Sequence, residues 1–266
     1  MKTIALCSTA RGAGKTAVGA FLCRQFGEVA AVKVMPRHRK PVGASPRGSD
    51  LDPEAQLDAE AAENGEGNGS LGEAVESSEW KTAGEDEFAL GEESAGYLVV
   101  DDPNQLLLRG SDTRRLWDAG AEPVIWVRAR DEHVLDALAE VRAQIAEAGT
   151  EPALLLVESN RYVREGGEAD ATLLVYPNAS EEISEAGVEL LPRADAFVVS
   201  KRRPGPTKLA LLDHDAFPAE KVDLPAFAFN LDEDSLALDD RYALIDWLRR
   251  RLDLNTINAD EACRAV

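Results

Sequence analysis

Ser8-Thr9-Ala10-Arg11-Gly12-Ala13-Gly14-Lys15-Thr16 is the stretch whose reading decides the fold of this chain. It follows an apolar run, Met1–Cys7, and opens a helical pattern with Val18, Phe21, Leu22 and Phe26 on one side. A Gly-rich turn between a strand and a helix is the context in which such a segment cradles phosphate. Phosphate oxygens need converging backbone N–H groups, and bulky Cβ atoms obstruct that approach. Gly12 and Gly14 remove the obstruction, while the helix start adds a partial positive charge. Ala10, Arg11 and Ala13 complete the loop. Lys15 supplies a mobile cation for β and γ phosphates, and Thr16 offers a hydroxyl to Mg²⁺. The usual pattern, GxxxxGK[ST], has glycine where this chain has Thr9, a variant that needs a negative φ there.

Outward from the loop, short apolar runs alternate with helical patterns. The strand candidates are Thr3–Cys7, Val29–Met35, Tyr97–Asp101, Val124–Val127, Ala153–Val157, Ala171–Tyr176, Ala196–Val199 and Ala226–Phe229. Several are unbroken Val/Ile/Leu blocks without in/out alternation, as expected of parallel strands covered on both faces. Val134, Leu138, Val141 and Ile145 form a helical stripe that Gly149 stops. A last helix over Asp239–Leu252 ends in the basic turn Arg249–Arg251, which suits the negative end of its dipole. The pattern predicts a three-layer, doubly wound α/β fold with a mostly parallel sheet, one nucleotide-binding domain over 1–266.

Charge is distributed unevenly. Between Pro41 and Ser94, 15 acidic residues stand against Arg47 and Lys81, so this segment carries −13 of the chain's net −20. Rich in Gly, Ser, Glu and Ala, residues 41–94 read as an acidic insertion after the second strand, mobile or partly helical. The negative field disfavours nucleic acid as a partner. No apolar run reaches the roughly 18 residues that span a bilayer. Met1–Cys7 lacks the pattern of a signal peptide, and three scattered cysteines fit a reducing, cytoplasmic setting.

Further site candidates lie at strand ends, where open α/β sheets bind ligands. Lys33 stands near the end of the second strand and precedes Pro36-Arg37-His38-Arg39-Lys40, a basic cluster suited either to phosphate contact or to a surface turn. Ala153–Val157 runs into Glu158-Ser159-Asn160, where a carboxylate can hold Mg²⁺ or orient water. Asp101-Asp102 competes for the metal, but Glu158 ends the more apolar, hence more central, strand. Asp112 reads as a helix N-cap. Val198-Val199-Ser200-Lys201 stands where guanine-specific proteins carry Asn-Lys-x-Asp. Ser200 and Arg203 break that pattern, though Lys201 can still lie along a purine.

Taken together, these pieces resemble the MobB-like family of molybdopterin-guanine dinucleotide biosynthesis, within the wider class that includes the lipid A 4′-kinase. The resemblance rests on Thr9–Thr16, the strand Val29–Val34 with its basic sequel, Ser111-Asp112-Thr113…Ala119-Gly120-Ala121, and Leu154–Glu158. It implies ATP or GTP held by Gly12, Gly14, Lys15 and Thr16, with Glu158 at the metal or the attacking water. The chain departs at Thr9, in a histidine-rich stretch reduced to His38, and in Ser159-Asn160 after Glu158. Three functions follow as expectations: an NTPase accessory factor in cofactor maturation acting with a protein partner, a small-molecule kinase, or a non-catalytic nucleotide-responsive module.

Overall fold

The computed structural model describes residues 1–36, 96–107, 110–149, 152–177, 184–201, 223–231 and 238–254. The acidic insertion 41–94 and the basic run 37–40 lie outside them. The chain divides into two units, Met1–Arg37 with Ala95–Val266, and His38–Ser94; everything described belongs to the first.

Eight strands are found among the described residues: β1 Lys2–Ser8, β2 Val29–Pro36, β3 Tyr97–Val100, β4 Ala121–Ala129, β5 Leu154–Glu158, β6 Ala171–Pro177, β7 Ala196–Lys201 and β8 Ala226–Asn230. They form one sheet in the order β3-β4-β2-β5-β1-β6-β7-β8. All neighbours run parallel except β3, which pairs antiparallel with β4 at the edge. Every residue of β5 and β6 is buried, which accounts for their unbroken apolar sequences.

Seven α-helices cover the sheet among the described residues: α1 Lys15–Phe26, α2 Pro103–Leu106, α3 Asp112–Asp118, α4 Val134–Glu147, α5 Asn160–Arg164, α6 Glu185–Val188 and α7 Leu238–Arg251. Val18, Phe21 and Leu22 of α1, Leu116 of α3 and Leu244, Ile245 and Leu248 of α7 bury one face, with Leu6, Ala31 and Leu156 beneath them. Val134, Leu138 and Val141 of α4 and Tyr162 and Val163 of α5 bury the other, over Ala5, Val32 and Val157. Each fully buried Leu or Val contributes about 1.5–3 kcal/mol relative to an exposed one. The three layers are therefore held by two independent apolar interfaces on one sheet.

Two boundaries differ from the sequence reading for identifiable reasons. β4 begins at Ala121 rather than Val124, because a register shift opposite Val29–Ala31 accommodates Glu122-Pro123, and Pro123 has no N–H for the ladder. The N-cap of α3 is Ser111, whose hydroxyl accepts from the Arg114 N–H at 3.1 Å; Asp112 is the first helical residue. A carboxylate expected to cap the helix is thereby freed for another partner.

Candidate functional site

The β1–α1 turn lies at the edge where seven parallel strands end. Gly12 and Gly14 adopt φ of 67° and 94°, conformations that side-chain-bearing residues rarely take. Thr9 is not among the residues of positive φ, so the variant position enters the loop without strain. Among the described residues, no hydrogen bond engages the amide N–H groups of Ala10, Gly12, Ala13 or Gly14. No side chain caps α1. A turn with this many unmatched donors at a helix start fits an anion with many acceptor oxygens.

Asn160 fixes the entry to the turn. Its Oδ1 accepts from the Ser8 N–H at 2.8 Å and its Nδ2 donates to the Ser8 carbonyl at 2.9 Å, so one amide side chain stands in for a missing strand partner. The Ser8 hydroxyl donates to the Ala10 carbonyl at 2.9 Å, and Lys15 Nζ donates to that hydroxyl at 2.7 Å. Burial pushes the Lys15 ammonium below its ordinary pKa and Lys33 adds to this, while Glu158 opposes them. An anion would reverse the balance.

Beside the loop, Thr16 Oγ1 lies 3.0 and 3.1 Å from the two oxygens of Glu158. The register explains the meeting: Glu158 stands opposite Leu6 of β1 and Lys33 of β2, in one row across the sheet. Lys33 Nζ donates to Glu158 Oε1 at 2.9 Å and also to Asp112 Oδ2. Burial works against the Lys33 charge, but the two carboxylates outweigh it and hold the pKa above its ordinary value. Burial likewise raises Asp112, yet the Lys33 charge and hydrogen bonds from Lys33 and Thr16 bring it below the usual carboxylate range.

Of the two carboxylates considered for a metal, only Glu158 is brought to Thr16. Asp101 follows β3, whose last residue shares the row of Glu158 but stands three strands away, so this exposed residue is held apart from Thr16. Lys201 ends β7 opposite Asn230, two strands from β1 on the other side. Among the described residues there is no group of three or more His, Cys, Asp or Glu that could hold a metal on its own. A hydroxyl with one or two carboxylates suits Mg²⁺, which keeps waters and takes phosphate oxygens as ligands. Asp112 escaped the sequence reading because Lys33 lies 79 residues from it. Its place in the Ser-Asp-Thr run offered no signal beyond capping.

Strand, Gly-rich turn and helix at the edge of a largely parallel sheet give the chain a P-loop NTPase fold. No protein-family model and no curated protein matches the chain. Among solved structures it is similar to HypB from Helicobacter pylori in complex with nickel, at 11% identity, over 96% of this chain and 88% of that one, with a TM-score of 0.43. Identity and superposition are both too low to carry an activity from that protein to this one. No helix among the described residues is long and apolar enough to cross a membrane.

Proposed function

We propose that the chain binds Mg²⁺ and a nucleoside triphosphate, ATP or GTP, and serves as an NTPase accessory factor in the maturation of a cofactor, as the MobB-like resemblance implies. One observation carries the triphosphate reading: unmatched loop amides lie next to a half-buried Lys15 and a Thr16 hydroxyl already directed at a carboxylate. The amides of Ala10, Arg11, Gly12, Ala13 and Gly14 take phosphate oxygens, and Lys15 leaves Ser8 to neutralise the β and γ groups. Thr16 and Glu158 hold the magnesium, with Asp112 within reach of the same hydroxyl. The metal, when bound, supplies positive charge for the phosphate oxygens. Glu158 also orients an attacking water, and Lys33 keeps the two carboxylates together until metal and nucleotide arrive. Lys201 lies along the base. The 1–266 chain acts as a nucleotide-binding protein with a protein partner in maturation, in a reducing cytoplasm; the acidic segment 41–94 brings most of its negative charge.

Calorimetric titration with ATP and GTP, with and without Mg²⁺, tests the core of this reading. Saturable 1:1 binding of at least one triphosphate, tightened by Mg²⁺, is expected. Failure of both nucleotides to bind in Mg²⁺ would refute it. Phosphate release that rises only with an added metabolite acceptor would favour a kinase over the accessory role.

A further inference from the structure

We infer that Ser184 and Gly187 form a brace that turns the first peptide of the phosphate loop toward a bound triphosphate. The inference rests on the nucleotide reading above and names positioning residues for it. Ser184 N–H donates to the Thr9 carbonyl at 3.0 Å, and its hydroxyl donates to the same oxygen at 2.7 Å. That hydroxyl also accepts from the Gly187 N–H at 3.1 Å, so its rotation is set from both sides. Thr9 N–H is taken by the Val175 carbonyl of β6 at 3.1 Å. Thr9 is fully buried, held along both edges by elements 166 or more residues away.

Peptide planarity gives this anchoring a consequence. The Thr9 carbonyl and the Ala10 N–H belong to one trans unit and point in opposite directions. Two donors on the carbonyl from α6 therefore aim the Ala10 N–H away from α6, and no bond among the described residues satisfies it. The Ser8 hydroxyl holds the next carbonyl, that of Ala10, and so governs the Arg11 amide in the same manner. A loop residue other than glycine at position 9 has a side chain to place, and here it is buried rather than turned to the ligand. Its hydroxyl has no hydrogen-bond partner among the described residues.

Gly187 makes the approach possible. A Cβ there would stand 2.5 Å from the Thr9 carbonyl oxygen and 2.6 Å from its Cα, both main-chain atoms that cannot yield without moving the loop. Residues 184 and 187 thus act as a pair, one pulling the peptide and one allowing contact.

The test uses the full chain and calorimetry with whichever Mg²⁺-triphosphate binds more tightly, alongside thermal unfolding. Ser184→Ala should weaken binding about 5-fold, the worth of one hydrogen bond, with stoichiometry unchanged. Ser184→Thr, which retains the hydroxyl, should restore affinity to within about 2-fold. Gly187→Ala should weaken binding more than Ser184→Ala; should it fail to fold, the two Ser184 variants decide alone. A merely structural role would lower the melting temperature and the binding-competent fraction while leaving Kd unchanged, and that result overturns the brace. Failure of threonine to rescue also overturns it. Lys15→Ala separates the two readings. If it loses the triphosphate while Ser184→Ala does not, the brace alone falls; if it too binds normally, the nucleotide reading falls with it.

Discussion

At the N-terminal ends of the strands, Lys2 Nζ reaches Asp170 Oδ1 at 2.9 Å while Asp170 Oδ2 accepts from the Thr3 N–H at 2.8 Å. At the C-terminal ends, Lys33 reaches Glu158 and Asp112, with Thr16 on Glu158 and Lys15 nearby. Both clusters pair lysine with carboxylate across parallel strands, yet their settings differ. The Lys2 and Asp170 side chains are 46% and 34% exposed, and water supports each charge; those of Lys33 and Glu158 are 17% and 2% exposed, with Asp112 at the rim at 42%. The first cluster is matched group for group and staples β1 to β6. The second crowds two ammonium groups and two carboxylates beside a helix start whose amides are unmatched. Folding alone gains little from such a concentration of charge, since burying a pair gains little over apolar packing. The proposed polyphosphate and metal would use it.

Four substitutions can break or sharpen this contrast, from the largest effect to the smallest. Glu158→Ala leaves both Lys33 and the Thr16 hydroxyl to Asp112 alone. It should cost about 3 kcal/mol of stability in denaturant titration and remove the tightening of nucleotide binding by Mg²⁺. A loss under about 1 kcal/mol would mean that the site's charges are no more committed than those at the other end. Lys15→Ala should weaken triphosphate binding roughly 100-fold, as loss of a charge-assisted contact does. Its melting temperature should hold or rise, because burial already disfavours that ammonium in the folded state.

At the opposite end, Asp170→Asn should cost no more than about 1 kcal/mol and leave nucleotide binding unchanged. Its pH profile carries the sharper check. Burial pushes Asp170 up, but the Thr3 N–H and Lys2 outweigh it and hold the carboxyl below its ordinary 3.8. The carboxylate's contribution is therefore complete above about pH 3.8 and fades as pH falls through the lower folded-state value. The stability gap between wild type and Asp170→Asn should shrink accordingly in acid unfolding. Lys2→Ala, which removes an exposed partner, should change stability by less than about 0.5 kcal/mol.

The contrast also marks where sequence reading succeeds. All eight strands among the described residues were visible as apolar runs; for β5 and β6 the reason is that strands buried on both faces need contiguous apolar residues, and contiguity is a local property. The loop was visible for a similar reason: amides, Gly12, Gly14, Lys15 and Thr16 act within one turn. The role of Asp112 was not visible, and its reading as a cap was replaced by Ser111, one residue away. Either side chain could have capped α3; Lys33 decided between them from another strand. Asp101 and Glu158 both followed apolar runs, and only the strand order, which sets β3 three places from β5, separated them.

By itself the sequence determined the strands and the longer helices, the layered α/β class and the Gly-rich loop between β1 and α1, since each depends on neighbours along the chain. Tertiary structure alone decided which carboxylate meets Thr16, what Lys33 holds, and that Ser184 and Gly187 grip Thr9. Those facts follow from strand order and register, which set residues 79 to 175 positions apart side by side. Local pattern carries no record of such distances.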